Sequence, residues 1–454
     1  MPIEPTPRNA AHLLRRAAWA GLPAEIDAVM TDGIEASVDR LLDPAGAPVV
    51  AEPPYGPGDV PYSGEVMNAW FHRLAATSPT PALERLMWFW HGHFATSLEK
   101  VEWTDLVCRQ LITLRRHGLG RFDDLLMAVT LDPAMNFYLD LHMSTADAPN
   151  ENYARELMEL FSLGAGQGYT QSDVVQVGRA MTGYGLEEHF TSGRPVGSTL
   201  RPMLHDTGQK TIFGRTGAFD AADVIEMIVA KPECHRFVAS RFWLRYAGTE
   251  AAPSVIDELA SVFAASLRID DLLRALLTHP AFYAPEVQGA VVNQPVESLV
   301  RFARGMELPF PDGLPRESED DDGDNDDDEA FELYWYLVEA GWSMGQLVGI
   351  PPNVGGWPDG LAWIDARHAT GRLNAGRQLG HLVAELDGDV PDALRAAVGN
   401  PADFVPLLLG RLGCVEWSPA TEDAISQALV AEEPFEAVAA AIATAFVSPE
   451  VTLA

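Results

Sequence analysis

Apolar residues recur at i, i+3, i+4 and i+7 through most of this chain, and strand-type alternation is scarce. The pattern predicts helices near 9–20, 24–42, 65–77, 81–95, 101–117 and 121–130, then 151–163, 170–182, 220–230, 232–246, 253–266, 269–278 and 295–306. A last set follows at 331–348, 372–387, 391–398, 401–412 and 420–447. The fold class implied is mainly α: a large multi-helix orthogonal bundle with few or no strands. Breaks rich in Pro or Gly at 43–63, 144–150, 191–219 and 351–360 are long enough to be folded loops, and such loops often carry function. Thr170 and Asp173 stand at the N-cap and N3 positions of a capped helix start.

From Glu317 to Glu329 nearly every residue is Asp or Glu, broken only by Ser318, Gly323 and Asn325. Such a block cannot bury enough apolar surface to order itself and reads as a disordered insertion. Taking Gly323 as the sixth position of a calcium loop would put Ser318 first, which argues against a specific calcium site. The insertion separates a main helical domain, 1–316, from a C-terminal helical part, 330–454, packed on it as one structural unit.

The balance of 31 basic against 65 acidic residues gives −34. That excludes attraction to nucleic-acid backbones or anionic membranes through general electrostatics. Cys108, Cys234 and Cys414 are far apart and odd in number, so neither a disulfide framework nor a zinc ribbon is indicated, and a reducing compartment is implied. No segment holds about 18 uninterrupted apolar residues, which argues against a membrane span. Residues 1–23 contain no apolar run of signal-peptide length, so the sequence reads as cytoplasmic.

Candidate chemistry concentrates in three segments. Asn150-Glu151-Asn152-Tyr153-Ala154-Arg155-Glu156-Leu157-Met158-Glu159-Leu160 sets Asn152, Arg155, Glu156 and Glu159 on one side of a helix, beside a stripe of Leu157, Leu160 and Phe161. Trp88-Phe89-Trp90-His91-Gly92-His93-Phe94 places two histidines two apart, about 200° around a helix, so both can serve one metal only if Gly92 breaks the helix. The loop from Arg201 to Thr211 joins His205 and Asp206 to Lys210. A fourth segment, Pro351 to Gly360, is a rigid glycine-punctuated loop that either seals a pocket or packs the C-terminal helices. No nucleophile elbow, zincin pair, phosphate loop or dinucleotide fingerprint occurs, and the Glu-x-x-His of a di-iron bundle is missing.

These segments together resemble a bacterial family known as domain-of-unknown-function family 1800. The likeness rests on His12-Leu13-Leu14-Arg15-Arg16, Glu84-Arg85-Leu86, Phe89 through Phe94, Asn150 through Leu160, Gly168 through Val174, Thr182-Gly183-Tyr184, His205 through Thr211, Met344-Gly345-Gln346 and Pro351 through Pro358. It spans most of residues 9–375. The resemblance implies a mostly helical unit of unknown biochemistry, often exported and often encoded beside a sulfatase-like partner. The chain departs from it in lacking an export signal, in Asn293-Gln294-Pro295 where a Lys-Ser-Pro-like triplet is usual, and in the acidic insertion.

The expectation is that His91, His93, Glu156, Glu159, His205 and Asp206 converge in one cleft. There His91, His93, His205 and Asp206 would ligate a divalent metal, Zn, Mn or Fe, that activates water for hydrolysis. Glu151 or Glu159 would be the general base, and Arg155 and Lys210 would hold an anionic group of the substrate. One alternative is a metal-free acid/base enzyme with Glu156 and Glu159 as its paired carboxylates. Another is a non-catalytic helical partner protein whose charged motifs only lock the fold.

Overall fold

A computed structural model describes residues 3–47, 50, 64–188, 195–311, 328–430 and 433–453. Among them are twenty-three α-helices and two separate two-stranded antiparallel sheets, so the chain is mainly α as its periodicity predicts. Many helices open on proline, among them Pro81–His93, Pro232–Ala247 and Pro295–Gly305. Proline suits that place because its fixed φ is already helical and the amide proton it lacks would be unpaired there anyway. The capping box at Thr170 and Asp173 forms as read: Thr170 Oγ1 accepts from Asp173 N at 3.2 Å, and Asp173 accepts from Thr170 N at 2.8 Å.

Three expected elements divide differently. The helix near 24–42 is two helices, Pro23–Asp32 and Ile34–Leu41, parted at Gly33, whose φ of +86° no helix accommodates. The one near 420–447 is Pro419–Ala428 and Pro434–Phe446. The long break at 191–219 carries strands the periodicity does not reveal: Tyr184–Glu188 pairs with Pro195–Leu200, and Lys210–Ile212 with Arg215–Gly217. Strands of three to six residues offer too few alternations to register as a pattern. The acidic insertion falls almost wholly on residues 312–327, outside the described residues.

Helix Pro295–Gly305 organises the interior. It is buried around its whole circumference: Leu299, Phe302 and Ala303 join the C-terminal core, while Val296 and Val300 join a core of aromatic residues that includes Trp70, Phe71 and Trp88. In the C-terminal core, helices Ala366–Glu385 and Pro434–Phe446 meet through small residues. A methyl group added at Gly380 would stand 2.6 Å from Ala439 O, so only glycine permits that approach.

A helix buried on every side has nowhere to hide its charges, and Pro295–Gly305 carries Glu297 and Arg301. Glu297 lies 3.0 Å from Arg85 and accepts a hydrogen bond from Arg245. Burial alone would raise its carboxyl, but Arg245 and Arg85 outweigh that and hold its pKa below the ordinary range. Arg16 packs beside them, donating to the carbonyls of Tyr246 at 2.7 Å and Arg245 at 3.0 Å. Arg301 donates to Val451 O at 3.0 Å, and Arg372 to Asn293 O at 2.7 Å. Glu297→Gln leaves the arginines around it without their nearest counter-charge, and we expect a loss of about 3–5 kcal/mol in unfolding free energy. Urea denaturation of the two proteins at neutral pH measures it; a loss under about 1 kcal/mol would mean that the pair stabilises little.

Candidate functional site

Helix Pro81–His93 runs unbroken through Gly92, and Phe94 N still donates to Trp90 O at 2.7 Å. His91 and His93 therefore point to different sides, as helical spacing requires when glycine does not intervene. His91 Nε2 accepts from Gly349 N at 3.1 Å, so in the neutral ring its proton sits on Nδ1. His93 Nε2 donates to Phe161 O at 3.0 Å. Both rings are buried among aromatics, and burial lowers each pKa to about 3, with Arg241 adding to the effect at His93.

The loop residues are equally committed. His205 Nδ1 donates to Thr182 O at 2.9 Å. Asp206 accepts from Arg179 Nε at 2.7 Å and from Gly208 N at 2.8 Å, and the Arg179 bond leads in holding its carboxyl below the ordinary range. Lys210 is buried with its ammonium on the carbonyls of Asp206 and Gly208. Burial lowers its pKa despite the neighbouring carboxylate. Among the described residues, no three His, Cys, Asp or Glu side chains stand where one metal ion could reach them. His91, His93, His205 and Asp206 each serve the backbone or Arg179 in this structure.

Helix Asn152–Glu159 begins two residues into the charged motif. Glu151 at its N-cap accepts from Arg155 at 3.2 Å and from Gln171 at 3.0 Å, while Arg155 also donates to Gln171 at 3.1 Å. Glu159 accepts from Tyr169 at 3.5 Å. Glu156 differs from its neighbours: among the described residues its carboxylate has no hydrogen-bond or ion-pair partner. It is half-buried, and burial first, then the charge of Glu159, raise its pKa against the opposing pull of Arg155.

Glu156 opens into a cleft of about 440 Å³. The walls come from three distant segments: Ser97 to Lys100, Tyr138 to Asn152 and Pro351 to Val354. Lys100 donates to Tyr138 O at 2.7 Å and to Asp140 at 2.9 Å. Tyr138 has its phenol pKa raised by burial, with Glu99 and Glu156 adding to it. Sequence reasoning missed Glu99, Lys100 and Tyr138. The one signal available was that Lys100 is among only three lysines in the chain.

The Pro351–Gly360 loop takes the first of the roles open to it in sequence, and its packing partner is an early helix and not the C-terminal ones. Its first residues wall the cleft, while its second half packs against helix Pro81–His93, where Trp357 stacks on Trp88 at 4.7 Å. The contact is backbone on backbone: Gly356 has φ +82°, and a methyl group there would stand 2.1 Å from Gly92 O.

Residues 12–453 match the family described as "Protein of unknown function (DUF1800)". The chain belongs to that family. The DUF1800 match covers the cleft, the histidine helix and the Asp206 turn alike. No curated protein and no solved structure matches the chain. No helix among the described residues is long and apolar enough to cross a membrane.

The buried histidines set a pH dependence. A histidine in the unfolded chain titrates near 6.5, while His91 and His93 in the fold stay neutral down to about 3. Between those limits unfolding takes up a proton at each, so their stabilisation is complete above pH 6.5 and is lost as pH falls, by about 1.4 kcal/mol per pH unit per histidine. His93→Gln should flatten the slope of unfolding free energy between about pH 4 and 6 by one such increment, measured by urea titration. An unchanged slope would mean that His93 is already protonated in the fold.

Proposed function

We propose that the protein is an acid/base hydrolase acting on a polar, uncharged substrate bound over Glu156, with Glu99 as the second carboxylate of the cleft. The observation that carries this reading is the state of Glu156: half-buried, open to the cleft, without a hydrogen-bond or ion-pair partner among the described residues and with a raised pKa. A carboxyl of that kind keeps its proton into a pH range where it can deliver it to a leaving oxygen. Glu99 stands on the short helix Leu98–Val101, across from helix Asn152–Glu159, and serves as the base for water. The Asn152 amide and the Lys100 ammonium supply donors for substrate oxygens. This scheme uses only groups that face the cleft, whereas the metal-dependent one needs ligands from three places that do not meet. The networks of Glu151, Arg155 and Gln171, and of Arg179, Asp206 and Lys210, are internally satisfied and support a scaffolding role for those residues.

Two measurements test the reading. Carbodiimide modification of Glu156, followed by peptide mass spectrometry, should persist above the pH at which ordinary glutamates lose reactivity. Glu159→Gln removes a like charge and should move that limit down, while Arg155→Gln should move it up. No movement in either variant would remove the basis for assigning Glu156. On a panel of nitrophenyl glycosides and esters, Glu156→Gln should reduce any turnover found in the wild type by roughly 10²- to 10⁴-fold without changing the urea midpoint. Equal turnover would overturn the proposal.

A further inference from the structure

The second half of the Pro351–Gly360 loop closes a different cavity, of about 20 Å³, lined by Trp88, Gly92, Arg241, Arg245, Gln294 and Asp359. This volume admits a water or one small polar group, not a whole substrate. Arg241 makes no hydrogen bond or ion pair with any described residue, and its Nε is shut off from solvent without a partner. Leaving a buried donor unpaired is costly, and of the arginines with such a nitrogen Arg241 is the one that lines this cavity. Its neighbour Arg245 is held in place, with Nη1 3.3 Å from Asp359 Oδ1 and Nη2 on both Glu297 and Gln294 Oε1. Gln294 cannot turn to help Arg241: its Oε1 already accepts from Trp88 Nε1 at 3.1 Å and Gln346 Nε2 at 3.2 Å, and its amide faces Pro358 O and Asp359.

The charges around the cavity do not balance. The lining holds two guanidinium groups, Arg241 and Arg245, against one carboxylate, Asp359, while Glu297, outside the lining, is shared by Arg245 and Arg85. That excess sits inside a protein whose net charge is −34. Asp359 is also the more exposed of the two carboxylates, at 38% of its side chain, so it neutralises Arg245 from the rim.

We infer that this cavity is a binding site for a single small oxyanion group, a carboxylate or an inorganic phosphate oxygen face, received by the free edge of Arg241 beside Arg245. A guanidinium offers paired donors in the geometry that an oxyanion accepts, and Trp88, stacked on Trp357, forms one wall of the cavity. The site is separate from the Glu156 cleft and does not depend on the reading given to it.

The test uses the full chain and thermal unfolding at constant ionic strength, with acetate, phosphate and sulfate titrated in place of chloride. At least one oxyanion should raise the melting temperature saturably and change the fluorescence of the tryptophans at the cavity. Arg241→Gln should abolish both effects while leaving the anion-free protein no less stable, since the side chain makes no hydrogen bond or ion pair with a described residue. Asp359→Asn removes the competing carboxylate and should tighten the same anion by about tenfold. This variant decides the matter even where Arg241→Gln folds poorly. Chloride acting as well as any oxyanion, or affinity unchanged in Asp359→Asn, would overturn the inference.

Discussion

Burying a carboxylate in the middle of a protein obliges several cations to follow it, and Glu297 imposes that obligation here. Helix Pro295–Gly305 is enclosed on all sides, so Glu297 draws in Arg85 from helix Pro81–His93 and Arg245 from helix Pro232–Ala247, with Arg16 from the first helix of the chain packed alongside. Segments separated by more than two hundred residues are thereby fixed in register around one group. An apolar core of the same volume would be as stable or more so. What the ionic centre adds is that sliding any one of these helices by a turn would strand a buried charge.

Much of the fold was legible because helix formation is local. The i, i+3, i+4 periodicity and the prolines at helix starts depend on neighbouring residues alone, and the capping box at Thr170 and Asp173 is written in four residues. The two hairpins between 184 and 217 were not legible, since their pairing is decided by turn geometry and not by a hydrophobic repeat. Glu156 could be picked out from its place on a charged helix face. Its cleft partners Glu99, Lys100 and Tyr138 could not, because they arrive from segments whose proximity only tertiary packing creates. The engagement of the histidines was not legible for a related reason: ligand-type side chains are as well suited to capping backbone groups, and a continuous helix through Gly92 turns His91 and His93 apart.

The loop Pro351–Gly360 is the boundary between two unlike environments. On one side lie the carboxylates Glu99 and Glu156, on the other the guanidinium groups of Arg241 and Arg245. The backbone contact of Gly356 with Gly92 O holds this partition at a spacing no other residue would allow, which gives a physical reason for glycine there. Both sides are built by residues whose neighbours along the chain are ordinary core, so the chemistry rests on packing that would exist without it.

Arg301 has a consequence for how the molecule is made. Its guanidinium is buried, and the carbonyl groups that satisfy it belong to Leu412 and Val451, the latter 150 residues further along the chain. A ribosome adding about 5–20 residues per second needs roughly 8–30 s to supply them. The aromatic helices nearer the N-terminus can pack in that interval, but the Arg301 guanidinium stays in water until its carbonyl partners arrive. The full enclosure of helix Pro295–Gly305 therefore follows synthesis of the C-terminal residues, and until then its charged face is open to water.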